Sequence, residues 1–234
     1  MQASRDAAAE EDRRHRLLAA SAWAAGLSPA DRDRALSELK IFDVPANGLI
    51  SIKGDPVDAC YGVIEGLIKL AAVTVDGKPV TFAGVPPGGW FGEGSLLKDE
   101  PRRYDIVALR ESLVAHMPRA TFLRLLDTNL AFNRFLIVQL NERLGQFIAL
   151  VEHGRLHGPE ARLARSLAGL FNPVLYPGIG PSLPVSQEEL GQLVGLSRQR
   201  VNQALKRLEA EGLVRVDYGG VTVLDLARLR SYGD

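Results

Sequence analysis

Residues 185–217, VSQEELGQLVGLSRQRVNQALKRLEAEGLVRVD, carry the signals of two short helices joined by a tight turn. Ser186 is placed to cap the first helix, and Glu189 three residues later completes a capping box. Gly195 ends that helix, and Ser197 is placed to cap the second. Apolar side chains recur at helical spacing in both segments: Leu190, Leu193, Val194, Val201, Leu205 and Leu208. The stretch therefore predicts a helix-turn-helix.

The outward face of the second predicted helix is long, polar and basic. It carries Arg198, Gln199, Asn202, Gln203 and Lys206. Such side chains can contact base edges in a major groove, although an ordinary helical hairpin with a solvated face is the alternative. Residues 213–224, LVRVDYGGVTVL, alternate apolar positions around a Tyr-Gly-Gly turn and predict a β-hairpin wing. The wing favours DNA binding over the alternative.

The composition predicts a globular protein of one large or two modest domains. Of the 234 residues, 46% are hydrophobic and 24% charged, and 28 basic side chains balance 28 acidic ones. Positive charge for a nucleic acid must therefore be local, and residues 198–207 supply it. The single cysteine, Cys60, excludes an internal disulfide and an iron–sulfur cluster held by cysteines of one chain, and we expect it to be buried in a strand.

The N-terminal segment predicts a helix rather than an export signal. Residues 13–27, RRHRLLAASAWAAGL, resemble a signal peptide faintly, but the apolar run is short and rich in alanine. Four acidic side chains precede it: Asp6, Glu10, Glu11 and Asp12. No run approaches the roughly 20 apolar residues that a membrane helix needs. We therefore expect a cytoplasmic protein with no membrane partner.

Residues 41–117 alternate short β-type runs with turn signals. The strand candidates are 48–52, 60–64, 67–75, 79–84, 104–109 and 112–117. Their even spacing indicates an antiparallel barrel, sandwich or jelly roll.

A long helix is predicted from about residue 128 to residue 156. Apolar side chains form a seam with alternating three- and four-residue steps, interrupted by Asn133: Leu130, Ile137, Leu140, Leu144, Phe147 and Val151. Such a seam is typical of paired helices, and other apolar residues lie off it. We expect one face to pack on the β-rich domain and the seam to pack on a second copy. A helix wholly buried in its own chain is the alternative.

A β-rich domain, a long helix and a winged helix-turn-helix together resemble the Crp-Fnr family of bacterial transcription regulators. The resemblance implies an α+β fold with a β-roll or jelly-roll sensor similar to cyclic-nucleotide-binding domains in residues 1–127. It implies a dimerisation helix in 128–157 and a winged helix-turn-helix DNA-binding domain in 158–234. The implied partners are near-palindromic double-stranded DNA, a second copy, an unidentified small effector and RNA polymerase. No enzymatic activity is implied.

Residues 88–109, GGWFGEGSLLKDEPRRYDIVAL, are similar to the segment that binds cyclic nucleotide in the cyclic-AMP receptor branch. Its glycines, among them Gly92 and Gly94, would let backbone amides approach a phosphate. The resemblance implies that Glu93 takes the ribose hydroxyl and that Arg103 pairs with the phosphate. The alternative is a structural ion pair between Glu93 and Arg103.

Three positions depart from the cyclic-nucleotide pattern. Tyr104 stands where the resemblance implies a small hydroxyl residue. Phe147 and Ile148 match, without gaps, the polar pair that contacts the adenine from the long helix. These departures disfavour cyclic AMP against another small or apolar effector, or none, and no cofactor is predicted.

The resemblance also implies roles along the second helix. Arg198, Gln199, Asn202 and Gln203 would lie near bases, while Arg200, Lys206 and Arg207 would meet phosphates or solvent. Ser197, at the start of the helix, is also expected to contact the DNA. In much of the family a glutamate and an arginine help to specify the half-site, and the matching positions here are Gln199 and Gln203. Both can pair with adenine, so we expect an altered half-site.

Other functional classes find little support in the sequence. A metal-dependent enzyme of cupin type needs clustered histidines on strands, but only His116 of the four histidines lies in the strand region. His153 and His157 have the spacing of a helical metal pair, although a helix-end position explains them equally, and no metal site is predicted. A haem sensor would need axial ligands, and nothing in the sequence marks Cys60 and His116 as such a pair. A ligand-binding module whose helix-turn-helix contacts only proteins stays an alternative.

Overall fold

A computed structural model describes residues 12, 15–19, 21–77, 79–153, 158–177 and 179–233. Two four-stranded antiparallel sheets, with strand orders β1-β8-β3-β6 and β2-β7-β4-β5, form the N-terminal half. The strands are β1 (Lys40–Val44), β2 (Leu49–Ser51), β3 (Ala59–Glu65), β4 (Ile68–Val73), β5 (Pro79–Val85), β6 (Trp90–Phe91), β7 (Asp105–Ala108) and β8 (Ser112–Pro118). The predicted α+β class with a β-roll is confirmed.

The two sheets enclose an apolar interior. Side chains from both sheets are fully buried in one cluster, which includes Val63, Ile68, Phe91, Ile106 and Val114. Their burial removes apolar surface from water and holds the sheets together at about 25 cal/mol per Å² buried.

Three short elements of this domain were not predicted. Strand β1 carries a mixed sequence, KIFDV, and is held by pairing with β8, from Lys40 opposite His116 to Val44 opposite Ser112. Strand β6 has only two residues, and residues Glu93–Lys98 form a short helix, α2. Long-range pairing and short length leave little periodic signal in the sequence.

Helical segments cover one end of the β-roll: a 3-10 helix (Ala22–Gly26), α1 (Pro29–Glu38), α3 (Arg119–Thr128) and α4 (Leu130–His153). Trp23 makes edge-on ring contacts with Trp90 and Phe132, with centroids 5.5 and 6.1 Å apart. Phe132 and Leu136 are buried, so the first half of α4 is fixed to the sensor domain through this aromatic cluster.

The helix is interrupted at Asn129, between α3 and α4. The long helix therefore begins at Leu130, two residues after its predicted start. Asn129 is extended there, and its Oδ1 accepts a hydrogen bond from the Phe132 amide at 3.0 Å. Asn133 donates through Nδ2 to the carbonyl oxygens of Leu126 and Asn129. Asn133 was predicted at a polar seam position, but in the structure its amide satisfies backbone groups at this break.

The other face of α4 is apolar and exposed. Leu130, Ile137 and Leu144 are 67%, 65% and 56% exposed. These are residues of the predicted seam, so the alternative of a helix wholly buried in its own chain is wrong. The side chains of Val151 and His153 and the whole of His157 lie outside the described residues.

The C-terminal domain comprises α5 (Pro159–Leu170), β9 (Ser182–Leu183), α6 (Gln187–Val194), α7 (Arg198–Ala210), β10 (Val214–Asp217), β11 (Gly220–Val223) and α8 (Leu226–Arg230). The three strands form a sheet in the order β10-β11-β9. The predicted winged helix-turn-helix is therefore confirmed. Strand β9 was not predicted, because its two residues are too few to show a readable alternation.

Local capping fixes the turn of the helix-turn-helix as the sequence predicted. Ser186 Oγ accepts from the Glu189 amide at 3.2 Å, and Glu189 Oε2 accepts from the Ser186 amide at 2.7 Å. Gly195 has φ +66°, a left-handed conformation that favours glycine at a helix end. Ser197 Oγ then accepts from the Arg200 amide at 3.4 Å and starts α7.

Candidate DNA interface and sensor interior

Helix α7 presents one apolar face to its domain and one polar face to solvent. Val201, Ala204, Leu205 and Leu208 are buried, and they fix the helix about its axis. The opposite face holds the predicted DNA-contacting residues that are exposed: Ser197, Arg198, Gln199, Arg200, Gln203 and Lys206. This face can approach a major groove without rearrangement of the helix.

The side chains of this face differ in their partners. Within the described residues, the side chains of Arg198, Arg200 and Lys206 form no hydrogen bond or ion pair, so their charges are available to a ligand. Asn202 is half-buried and donates to Gln187 Oε1 on α6 at 3.2 Å. Arg207 pairs with Glu160 of α5 at 3.0 Å, which points it away from the free cations.

A groove of about 460 Å³ separates the start of α6, helix α7 and the wing. Arg198 and Asn202 line it from α7, and Tyr218 lies at the fully exposed tip of the wing. Glu188 and Asp217 also line the groove. The pKa of Asp217 is lowered, first by the hydroxyl of Thr222 and then by Arg215, so its carboxylate keeps its charge. The groove therefore combines both signs of charge, while the exposed face of α7 is basic.

In the β-roll, Gly92 occupies a position that only glycine tolerates well. Its φ is +94°, and an added Cβ would lie 2.5 Å from Nη1 of Arg102. Gly94 is less constrained, because a Cβ there would meet no atom within 4 Å. The close approach at Gly92 places the following residue, Glu93, at the start of α2 with its side chain buried.

Glu93 pairs with a cation from the long helix. Arg143 Nε lies 3.5 Å from Glu93 Oε1, and Arg143 Nη2 donates to the Trp90 carbonyl oxygen at 2.7 Å. Both side chains are about nine-tenths buried. This ion pair ties α4 to the glycine-rich turn inside the sensor domain.

Tyr104 lies close to this ion pair. Burial raises the pKa of its hydroxyl to about 12, the negative charge of Glu93 adds to the effect and Arg143 opposes it. Tyr104 therefore stays protonated and places a neutral ring beside the buried charges.

The two neighbouring arginines of the turn have opposite positions. Arg103, predicted to hold a phosphate, is exposed and forms a two-pronged pair with Glu100, at 2.7 Å for each hydrogen bond. Arg102 is buried, donates to the carbonyl oxygens of Gly92 and Ala59, and lies over the ring of Tyr61. Arg103 thus lies outside the cluster around Glu93, and the proposed ion pair between Glu93 and Arg103 does not form.

The two residues predicted to face the effector from α4 lie on its surface. Phe147 is 36% exposed and Ile148 57% exposed. Part of the interior of the β-roll is instead occupied by Leu175 and Tyr176, which lie after α5 in the sequence and are buried in the sensor core. These two residues lie in the Pro/Gly-rich stretch 173–184, PVLYPGIGPSLP, which shows no helical or strand periodicity.

Comparison with known proteins now decides the family. Residues 41–129 match the family described as Cyclic nucleotide-binding domain, and residues 161–232 match the Crp-like helix-turn-helix domain. The "Cyclic AMP receptor protein" of Thermus thermophilus is 33% identical over 204 residues, which cover 87% of this chain and 93% of that protein. The chain belongs to the Crp-Fnr family of transcription regulators.

Solved structures agree with this assignment. A transcriptional regulator of the CRP/FNR family from Thermus thermophilus has 29% identity and a TM-score of 0.55, over 82% of this chain and 97% of that one. FixK2 from Bradyrhizobium japonicum has a TM-score of 0.67 over 82% of this chain and 96% of that one. At 18% identity, the second likeness concerns the fold alone.

Several residues of the sensor interior were not predicted from the sequence, among them Arg102, Arg143, Leu175 and Tyr176. Arg143 follows buried positions of α4 at helical spacing, Leu136 and Gln139, so it could have been placed on the buried face. No local pattern in the sequence predicts the position of Tyr176. Its hydroxyl contacts Gly84, 92 residues away in sequence, and such distant contacts leave no periodic signal.

Two negative observations concern the described residues only. No group of three or more His, Cys, Asp or Glu side chains among them is arranged to hold a metal ion. None of the helices in the described ranges is both long and apolar enough to span a bilayer.

Proposed function

We propose that this Crp-Fnr regulator binds near-palindromic double-stranded DNA as a homodimer in the cytoplasm, under the control of a small effector in the β-roll. The observation that carries the proposal is the exposed face of α7, on which three cationic side chains have no partner among the described residues. A helix of this kind, flanked by a wing, presents its N-terminal residues to base edges in a major groove.

Within that face the side chains divide by chemistry. Arg198 can pair with guanine, and Gln199 and Gln203 can pair with adenine, through two hydrogen bonds each. Arg200 and Lys206 supply charge to phosphates, which positions the helix but carries no sequence information. Asn202 is held by Gln187 and must exchange that hydrogen bond to reach a base.

The seam of α4 supports the dimer. Its apolar side chains are exposed in one protomer, at the spacing that pairs two helices around a two-fold axis. A second copy would bury them and present two copies of α7. Two-fold symmetry then requires two half-sites about 34 Å apart, one turn of the duplex.

The DNA assignment is tested by titrating labelled duplexes with single variants of α7. Arg198→Ala and Gln203→Ala are expected to relax sequence preference, with discrimination lost at one base pair of each half-site by about 1–3 kcal/mol. Lys206→Ala is expected to weaken binding to matched and scrambled duplexes alike and to reduce the salt dependence of the affinity.

Lys53→Ala is the matched control, because it removes an exposed cation, far from α7 in sequence, from the sensor domain. It is expected to leave the affinity and the sequence preference unchanged. Unchanged sequence preference in the Arg198→Ala protein would refute the assignment of α7 as the base-contacting helix.

A further inference from the structure

A short loop of the DNA-binding half enters the sensor domain. Residues 172–177, here called the inserted loop, connect α5 to the segment before β9. Leu175 and Tyr176 are 1% and 2% exposed and belong to the cluster between the two sheets of the β-roll. The chain itself therefore fills part of the sensor interior.

The tyrosine of the inserted loop is fitted closely to the glycine-rich turn. Its hydroxyl donates to the Gly84 carbonyl oxygen at 3.1 Å. A Cβ added to Gly89 would lie 2.8 and 2.9 Å from two carbons of the Tyr176 ring. The ring thus lies against bare backbone, in the turn that the family resemblance assigns to an effector.

Charged groups lie near the same ring. Burial raises the pKa of the Tyr176 hydroxyl, Arg143 opposes this change and Glu93 adds to it. The ring lies against Gly89, and the next residue, Trp90, accepts a hydrogen bond from Arg143 through its carbonyl oxygen. An effector directed to the Glu93–Arg143 pair would therefore enter the space beside this ring.

Helix α4 holds the inserted loop in shape. Gln139 Nε2 donates to the Val174 carbonyl oxygen at 2.7 Å, and Asn172 Nδ2 donates to Glu142 Oε1 at 2.6 Å. Asn172 Oδ1 accepts from the amides of Val174 and Leu175 at 2.9 and 3.0 Å. The loop is bound to the same helix that carries the exposed seam.

The helix-turn-helix itself is docked on the sensor beside this loop. Glu189 of α6 receives two hydrogen bonds from Arg110, at 2.6 and 2.5 Å, and Thr81 Oγ1 donates to the Gln192 carbonyl oxygen at 2.9 Å. Leu193 of α6 packs against Gly84, where an added Cβ would lie 3.0 Å from it. The inserted loop and helix α6 therefore form one continuous contact between the sensor domain and the DNA-binding domain.

We propose that the inserted loop is a built-in competitor of the effector: effector binding expels Leu175 and Tyr176 from the β-roll and thereby releases the DNA-binding domain from the sensor. This inference rests on the proposed function and specifies its regulation. The effector it selects has a flat apolar group that replaces the tyrosine ring. Since one segment cannot be both inserted and expelled, the two occupants exclude each other.

The competition has a thermodynamic consequence. The effector binds only those molecules whose loop is expelled, so its apparent affinity is the intrinsic affinity multiplied by the fraction of such molecules. A loosened loop raises this fraction and therefore raises the apparent affinity. By the same linkage, a loosened loop releases the DNA-binding domain from the sensor as the effector would, and it raises the affinity for DNA. We expect the docked arrangement to be the resting state, because it fixes α7 to the sensor before any half-site is present.

The test uses two loop variants of the full-length protein. Tyr176→Gly removes the ring, and Asn172→Ala removes the three side-chain hydrogen bonds that shape the loop, at a residue outside the cluster between the sheets. Both are expected to raise the affinity for a cognate duplex by at least ~5-fold, the lower end of typical allosteric coupling. They are also expected to lengthen the distance between labels at Val75→Cys and Arg230→Cys, measured with labelled protomers diluted in unlabelled protein.

A small molecule provides the matched rescue. p-Cresol has the shape and hydroxyl of the missing side chain and is expected to raise the melting temperature of Tyr176→Gly and to reverse its gain in DNA affinity. For the melting temperature, Tyr218→Gly is the control, because Tyr218 is fully exposed and its removal leaves no space for p-cresol to fill. The control is not applied to DNA affinity, because Tyr218 lines the groove beside α7. The native Cys60 is buried and does not compete for the labels.

The outcomes separate this inference from the proposed function. If the wild-type protein binds DNA specifically but neither variant alters the affinity or the label distance, the inference is overturned and the proposed function stands. If Tyr176→Gly fails to fold, Asn172→Ala decides by the same two readouts. If the wild-type protein binds no DNA, the proposed function fails, and the label distance alone supports or overturns the competing loop.

Discussion

Replacing Ile137 and Leu144 by aspartate is expected to convert the dimer into monomers and to lower the affinity for a two-fold duplex by about 100-fold or more, as expected when linked binding becomes single-site binding. Both side chains are more than half exposed on the apolar face of α4. Across a two-fold axis each aspartate would face its own copy, which adds charge repulsion to the lost apolar contact. Light scattering and duplex titration measure the two effects.

Neighbouring positions on the same helix provide the control. Val138 and Asn141 are also exposed, but they lie off the three- and four-residue steps of the seam. The protein with Val138→Asp and Asn141→Asp carries the same added charge and is expected to stay dimeric. If both double variants are equally monomeric, or if both are dimers, the seam is not the dimer interface.

Replacing Arg143 by methionine is expected to lower the free energy of unfolding by about 3 kcal/mol, because it leaves a buried carboxylate without its cation. Arg143 and Glu93 are each about nine-tenths buried, and Arg143 also satisfies the Trp90 carbonyl oxygen. Urea denaturation followed by circular dichroism gives the change. Adding Glu93→Gln to Arg143→Met is expected to recover much of the loss, since the double variant buries no net charge.

The adjacent ion pair of the turn provides the comparison. Arg103 and Glu100 lie on the surface, where solvent screens their attraction. Arg103→Met is therefore expected to leave the urea midpoint unchanged. Equal destabilisation by Arg103→Met and Arg143→Met would contradict the assignment of the buried pair to Glu93 and Arg143.

The DNA-binding half was predictable because its signals are local. The Ser186–Glu189 capping box, Gly195 and the cap at Ser197 each act within four residues, so a single sequence contains the whole cause of the turn. The apolar stripe of α7 then fixes which side chains face outward. The same reasoning predicted the exposed seam of α4, since periodicity survives without knowledge of the partner.

The sensor interior was harder to predict because its causes are distant. Whether Arg102 or Arg103 points inward depends on how the segment between α2 and β7 is aligned with its neighbours. A shift of one residue would bury Arg103 and expose Arg102. Glu189 fills a predicted capping box, but its second partner, Arg110, is 79 residues away. The position of Tyr176 inside the β-roll likewise depends on packing against distant strands, which the sequence of a Pro/Gly-rich stretch does not predict.

Selection from a random pool of double-stranded DNA shows whether two copies of this chain contact a two-fold duplex through their α7 helices. The selected sequences are expected to contain an inverted repeat with half-site centres about 10 base pairs apart. Gln203→Ala is expected to relax the preference at one symmetric position of each half-site. Enrichment of a single asymmetric half-site, or of no sequence at all, would show that α7 is not presented in symmetric pairs to DNA.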